Sequence, residues 1–493
     1  MSQGYVLSFA KGVTVDRPSA DCATFQMPVT CRKFILEGFS PGLGQVIDVL
    51  CSIGATEDDL AGLVEELEGA SALARLYYFL FTFAERRILS YGVSCGGRQL
   101  ATLAPASASF KFTPGRVDPQ LKYTLSRFAY LHRVRENLIL ESPLSHGRVT
   151  LPSSAGAAVT AELSKPHTLG SLCDVLHDLP RDIVMLFLEL LIGAGFVSGL
   201  NIDEPYPGEN EALAQWDFHD LLFHARSRLG RHDNPYGGTY RFRNEIKPLP
   251  AIKQLCAEEI VDLYRPDMDS LQLQDCPFTM VLEQRRSIRD YGERPITDRQ
   301  LGEFLYRSAR VKELQSIELQ DVTRRPYPGG GGIYELELHV NVHRCENVPA
   351  GLYHYCPSKH RLEKIGAATE AVEALLKDAA RPAGLAELPQ IVITITARFQ
   401  RLAWKYESIA YSVILKDVGV LYQTMFLVAT AMDLAPCALG GGDSDLFSRA
   451  AGLDYYVETS VGEFLLGSKK RMSHICIRPS NPPCSRSSFS GAL

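Results

Sequence analysis

The chain has 493 residues, 46% of them apolar and 22% charged, a length for roughly two to four domains. That composition excludes wholesale disorder, collagen and coiled coil. Net charge is −6, from 51 basic and 57 acidic side chains, and with no basic block this argues against nucleic-acid binding. The N-terminus shows no basic segment leading into a long apolar one, so no signal peptide is read. The apolar stretch Ile183–Val197 contains Glu189, and Val418–Ala431 is bounded by Asp417 and Asp433. Both fall short of the roughly 20 apolar residues a bilayer needs and read as buried helices of a cytoplasmic protein without a membrane span. Twelve cysteines are scattered with no CxxC, so we expect reduced, mostly buried thiols and no metal site.

In chain order, YVLSFAKGVTV and FQMPVTCRKFILEGFS lead into three helical patterns: Leu43–Ile53, Thr56–Leu67 and Leu73–Leu89. Thr56 opens the second with a Thr-x-x-Asp capping signal. Residues 121–200 replay that order. LKYTLSRFAYLHRV and NLILESPLSHGRVTL read as strands, Thr168–His177 and Arg181–Leu191 as helices, and GFVSG as a strand. This repetition predicts two small winged-helix-like α+β modules, 1–115 and 116–200. Residues 201–250 read as a structured connector around a helix at Trp216–Arg228.

Beyond residue 250 the pattern changes. Ile333–Val342 alternates strictly, with Glu335, Glu337, His339 and Asn341 on one side, and predicts a half-exposed strand. GLYHY and RLEKI, joined by CPSKH, predict a hairpin; QIVITITAR is a buried strand, Ser408–Ala435 a long helix and Tyr456–Leu466 a closing strand. Strands interleaved with long helices predict an α+β domain over 251–478.

Several motif matches are better explained by structure. Gly38-Phe39-Ser40-Pro41-Gly42 fits a nucleophile elbow, but Ser40 as N-cap and Pro41 as first helical residue explain it more simply. His219 and His224, five apart on a helix, diverge too far to share a metal and read as interior or polar-network residues. Later motifs carry more chemistry. Arg285-Arg286-Ser287-Ile288-Arg289 packs three guanidiniums and a hydroxyl into five residues, suited to phosphate oxygens. Pro326-Tyr327-Pro328 runs into four glycines, Gly329 to Gly332, which allow close approach to a flat ligand. Ala438-Leu439-Gly440-Gly441-Gly442 follows the long helix, and Trp404-Lys405-Tyr406-Glu407 precedes it, offering two proton-exchanging groups.

Taken together, RRSIR, PYPGGGG, GLYHY, WKYESIAYSVILKDVGVLYQTMFLVATAMDLAPCALGGGDSD and VGEFLLG resemble the flavin-dependent nitroreductase superfamily. Within it the chain is similar to the SagB-type thiazoline/oxazoline dehydrogenases, including the cyanobactin oxidases. The resemblance covers about residues 215–467 in motif detail, and the two N-terminal modules resemble the peptide-clamp domains of the same oxidases. It implies a homodimer with FMN at the subunit interface. Arg285, Arg286, Ser287 and Arg289 would be phosphate and ribityl contacts. Pro328, Gly329, Gly330 and Gly331 would form the loop reaching the partner's flavin, with Gly329 where Ser is common. Leu439, Gly440 and Gly441 would face the flavin's redox edge, and Lys405 and Tyr406 would be the catalytic pair. Lys469, Lys470 and Arg471 are further basic candidates, and 479–493 reads as a disordered tail.

The resulting expectation is FMN-dependent oxidation of peptide thiazolines, and of oxazolines, to azoles, with oxygen as electron acceptor. The partners are a heterocyclised precursor peptide and a cyclodehydratase. The rivals are an NAD(P)H-dependent nitro- or quinone reductase and an inactive peptide-binding scaffold for a cyclase.

Overall fold

The computed structural model describes residues 4–27, 33–200, 210–367 and 369–470. The chain forms two compact units that divide at residue 240, with Tyr406–Ile409 belonging to the first. The predicted tail 479–493, Arg471 and the first nine residues of the connector lie outside the described residues.

The first unit begins with strands whose side chains are drawn onto three helices, Pro41–Cys51, Glu57–Glu68 and Leu73–Glu85. Ser40 caps the first, accepting from the Leu43 N–H, with Pro41 in its first turn, so the G-x-S-x-G match is a helix start. Thr56 and Asp59 form a reciprocal capping box on the second. Phe25, Val46, Ile47, Leu60, Leu80 and Phe83 fill the core between these helices and the sheet of Thr14–Ser19, Cys22–Gln26 and Lys33–Glu37. A second core, with Val149, Leu151, Phe187, Leu190 and Leu191, gathers helices Ser154–Glu162, Leu169–Val175 and Arg181–Gly193.

One seven-stranded antiparallel sheet runs through both segments. Its spatial order is Ala55–Thr56, Val6–Phe9, Leu89–Cys95, Arg98–Pro105, Gly147–Leu151, Asn137–Glu141, Tyr130–Val134. The joint is Arg98–Pro105 on Gly147–Leu151, with Leu103 opposite Val149. In the connector, Phe218–Arg226 is helical and Gly237–Gly238 pairs with Tyr406–Glu407. His219 and His224 are exposed rather than interior, and of the two placements expected, His219 takes the polar one, with its Nε2 3.4 Å from Asp220. The first turn of this helix faces water, and Asp217, His219 and Asp220 cluster there.

The second unit is built on another seven-stranded antiparallel sheet. Its order is Ile260–Asp262, Arg361–Gly366, Gly351–Cys356, Leu336–Val342, Ile391–Arg398, Glu458–Ser468, Leu434–Ala438. Strand partners in register share a face. One face, with Leu338, Val340, Ile393 and Phe464, receives helices Asp298–Ala309 and Ala410–Ala431: Phe304 stacks on Phe464 and Phe426 meets it edge-on. The other receives Glu370–Ala383 and Ser444–Ala451, through Leu352, Val372, Leu375 and Phe447. The sheet is thus sandwiched by helices.

That sandwich corrects the reading of residues 333–342. Glu337, His339 and Asn341 are fully covered, because helices lie on both faces; Asn341 donates to Val372 O and Glu337 sits in a polar network. Glu337 bonds His354, His354 bonds Glu363, and Arg398 reaches Glu337. Glu458 takes Thr396 and Lys253. Burial works to raise Glu337, but His354, Arg325 and Arg398 outweigh it and bring its pKa down to about 2.

The long helix is Ala410–Ala431, shorter than expected at its C-terminal end. Asp433 takes a positive φ, and Leu434–Ala438 becomes the edge strand. This helix is long and apolar enough to cross a membrane by length and composition, whereas the two apolar runs in the sequence were each too short; here it covers the sheet with Ile414, Val418, Leu421 and Met425. Among the described residues the cysteines are unpaired, and only Cys356 and Cys437 are buried. The expected burial of most thiols fails because Cys51, Cys256 and Cys276 sit on exposed helix ends and loops.

Candidate functional site

Helix Phe278–Gln284 ends where Arg285 leaves helical geometry, so the arginine cluster is an extended strip and not a helix face. Its course is fixed by the Ile288 N–H, which donates to Pro436 O at 2.8 Å on the edge strand Leu434–Ala438. The strip therefore lies beside the chain that continues into Leu439–Gly442. Further on, Gly292 N–H donates to Ser468 O, and Tyr291 bridges to Lys469.

Arg285, Arg286, Ser287 and Arg289 are all exposed. Arg285 packs its guanidinium over Phe426 at 5.4 Å, and among the described residues none of the three arginines pairs with a carboxylate. Lys469 and Lys470 stand on the same edge, neutralised by Asp433 at 2.6 Å and Asp290 at 3.2 Å.

In the neighbouring loop, Leu439 is buried and its N–H donates to Glu463 O. A Cβ added to Gly440 or Gly441 would meet nothing within 4 Å, whereas one on Gly442 would run into Glu463. Burial, with the charge of Asp378 behind it, pushes Glu463 up to about 7. The pieces form a bare backbone surface, open above two glycines, next to three cations and a hydroxyl. That donor set fits a planar ligand carrying a phosphate.

The second glycine loop is held elsewhere on the long helix. Gly330 N–H donates to Asp417 at 2.8 Å, and a side chain on Gly330 would collide with Val413. Pro328 and Gly331 are exposed. Gly331 has φ +62°, which favours glycine. A Cβ on Gly329 would come within 3.0 Å of the Tyr334 ring, which explains a glycine here in place of the serine that the resemblance leads one to expect. From Asp417 to Phe426, the contact of Arg285, is nine residues, or about 14 Å along a helix. The arginine strip and the Gly440–Gly441 loop are thus brought together, while the Pro328–Gly331 loop stands apart on the same helix.

Lys405 ends helix Phe399–Lys405, and Tyr406 opens the short strand paired with Gly238. The Lys405 carbonyl accepts from Tyr240 N–H, and its ammonium lies over the Tyr240 ring at 5.8 Å. The helix is anchored one turn back by Arg401. This fully buried guanidinium donates to Ile333 O, Asp321 O and Leu249 O, tying the Lys405 helix to the end of the glycine loop.

Sequence reasoning did not assign a role to Arg401, Asp417 or Glu335. The available signal was Asp417, the single acid in the helix Ala410–Ala431. Glu335 is fully buried, and desolvation with the charge of Asp417 pushes it up to about 8.

Comparison with known proteins matches three segments of the chain. Residues 1–113 match the ThcOx helix turn helix domain, residues 123–233 the cyanobactin oxidase ThcOx, and residues 282–467 the nitroreductase family. The C-terminal unit therefore holds a nitroreductase-family domain. Both N-terminal matches are to segments of the cyanobactin oxidase ThcOx. It is 28% identical over 182 residues to a protein of Methanocaldococcus jannaschii named as a nitroreductase, covering 37% of this chain and 85% of that one. It is 21% identical over 363 residues to the trifolitoxin-processing protein TfxB of Rhizobium leguminosarum bv. trifolii, covering 69% and 92%. It is 29% identical over 138 residues to the microcin B17-processing protein McbC of Escherichia coli, covering 27% and 49%.

Proposed function

We propose that the protein is an FMN-dependent azoline oxidase that converts thiazoline, and also oxazoline, rings of a ribosomal precursor peptide to aromatic azoles. The observation that carries this reading is the Ile288–Pro436 bond, which ties the Arg285–Arg289 strip to the strand leading into Gly440 and Gly441. Matches to processing proteins of peptide antibiotics support the substrate class.

In this reading Arg285, Arg286, Ser287 and Arg289 hold the FMN phosphate and ribityl chain, and Leu439, Gly440 and Gly441 lie against the ring. Pro328 to Gly331 reach the flavin of a second copy, in a homodimer. FMN bound there would supply a two-electron acceptor for the hydride of the azoline ring. Lys405 or Tyr406 takes the proton from the ring's α-carbon, so that two electrons and two protons leave and the ring becomes aromatic. Arg401 fixes the helix that carries Lys405. Oxygen is the final electron acceptor, and a cyclodehydratase supplies the substrate.

Peptide capture falls to the first unit. Tyr77, Tyr78 and Phe81 lie on one exposed helix face, the latter two each 65% exposed, and Ile35 stands out from the edge strand Lys33–Glu37. An extended peptide laid along such an edge gains main-chain hydrogen bonds and side-chain contacts.

The test is the visible spectrum of the purified protein under anaerobic conditions. A yellow protein that bleaches on addition of a thiazoline-bearing peptide, and recovers in air, is the expected result. Bleaching by NADPH but not by peptide would overturn the azoline assignment, and a protein that stays colourless with added FMN would overturn the flavin site. Lys405→Ala is expected to stay yellow and form no azole.

A further inference from the structure

A cavity of about 310 Å³ opens in the second unit at the turn between Gly351–Cys356 and Arg361–Gly366. Arg265, Arg310, Lys312 and Ser358 line it together with Tyr306 and His360, and among the described residues no carboxylate does. Gly351–Cys356 lies four strand spacings from Leu434–Ala438 in the sheet, roughly 19 Å, so the cavity is separate from the arginine strip.

The cations are held in place. Arg265 donates to Lys359 O at 2.8 Å. Arg310 donates to Tyr306 O at 2.9 Å and lies over the Tyr306 ring at 4.3 Å. Among the described residues neither these two nor Lys312 makes an ion pair. His360 forms the wall. Its Nε2 donates to Tyr264 O at 2.9 Å, which leaves Nδ1 to accept from Tyr355 at 2.8 Å. The ring is therefore neutral with both nitrogens used, and burial beside Arg265 and Arg310 holds its pKa down. Three like charges fixed around one concavity repel one another until an anion enters.

We propose that this cavity binds a compact oxyanion, the phosphate group of inorganic phosphate or of a phosphomonoester. Guanidinium forks match phosphate oxygens, the Lys312 ammonium adds a point charge, and Ser358 offers a hydroxyl donor. The Tyr306 ring has one face taken by Arg310 and meets His360 edge-on at 5.0 Å. It offers little surface to stack a base, so the site reads the phosphate group alone.

The test is calorimetric titration of the full chain, loaded with FMN, with inorganic phosphate, and with acetate and chloride at matched ionic strength. One saturable phosphate site is expected, weakened at least tenfold in Lys312→Glu and in Arg265→Ala. Phosphate binding equal to chloride or acetate, or unchanged in both variants, would overturn the proposal. So would phosphate binding that vanishes once FMN is loaded, since the strip at Arg285–Arg289 would then be its site.

Discussion

His354 stands between two carboxylates, its Nε2 3.1 Å from Glu337 and its Nδ1 3.3 Å from Glu363. Both ring nitrogens face acceptors, so both carry protons and the ring is an imidazolium inside a covered sheet. Burial opposes that charge, but Glu337 and Glu363 outweigh it and raise its pKa. The His354 contribution to stability is complete below its ordinary 6.5 and is lost as pH rises through its raised value. The Glu337 contribution is complete above 4.5 and is lost as pH falls toward 2. These two contributions are constant between those limits and fall away on either side. His354→Ala removes the charge shared by two buried carboxylates, leaving Glu337 to Arg398 and Glu363 to Arg361, and is expected to cost about 3 kcal/mol, measured by urea unfolding at pH 6.

Glu335 titrates in the opposite sense to Glu337. Its raised pKa means that the fold holds the proton while the unfolded chain gives it up, so stability falls as pH climbs from 4.5 to about 8. Glu335→Gln is expected to flatten the decline of melting temperature over that interval. An unchanged slope would show that Glu335 is already ionised at low pH.

The arginine strip tests the cofactor site apart from the fold. Arg286 and Arg289 are exposed, so Arg286→Ala and Arg289→Ala are expected to change stability by less than about 0.5 kcal/mol. Each removes a charge-assisted bond to phosphate, worth about 1.5–3 kcal/mol. FMN affinity, followed by fluorescence quenching, is expected to fall at least tenfold.

Two glycines separate packing from ligand approach. Gly330→Ala drives a methyl group into Val413 and is expected to cost about 1–3 kcal/mol of stability. Gly440→Ala places its methyl in open space and is expected to leave stability alone while weakening FMN binding. Equal FMN affinity in Gly440→Ala would remove this loop from the flavin site.

For peptide capture, the double variant Tyr78→Ala with Phe81→Ala is expected to weaken precursor binding several-fold in fluorescence anisotropy, with the flavin spectrum unmoved. Loss of the flavin instead would point to a folding role for this helix face.

Much of both units was legible because its signals are local. The hairpin of GLYHY and RLEKI, the β-branched run of Ile391–Arg398 and the caps at Ser40 and Thr56 each rest on a few adjacent residues. The helix Asp298–Ala309 was announced by Thr297 and Gln300, a capping box that the reading passed over. What was not legible depends on distant partners. Glu337 and His339 alternate with leucine and valine, and alternation says only that the two faces differ. Whether the polar face meets water depends on Glu370–Ala383 and Ser444–Ala451. The tethers of Arg401 to Ile333 and of Ile288 to Pro436 span 68 and 148 residues of chain, beyond any local pattern.

The pairing of Arg98–Pro105 with Gly147–Leu151 sets where the N-terminal half can be cut. A break near residue 115 would leave each piece with its own core but with a raw strand edge, a row of unsatisfied N–H and C=O groups ready to recruit another chain. Fragments ending there are expected to precipitate or to swap strands. The shortest workable N-terminal fragment must carry both halves of that ladder, so a peptide meeting one half meets a platform stiffened by the other.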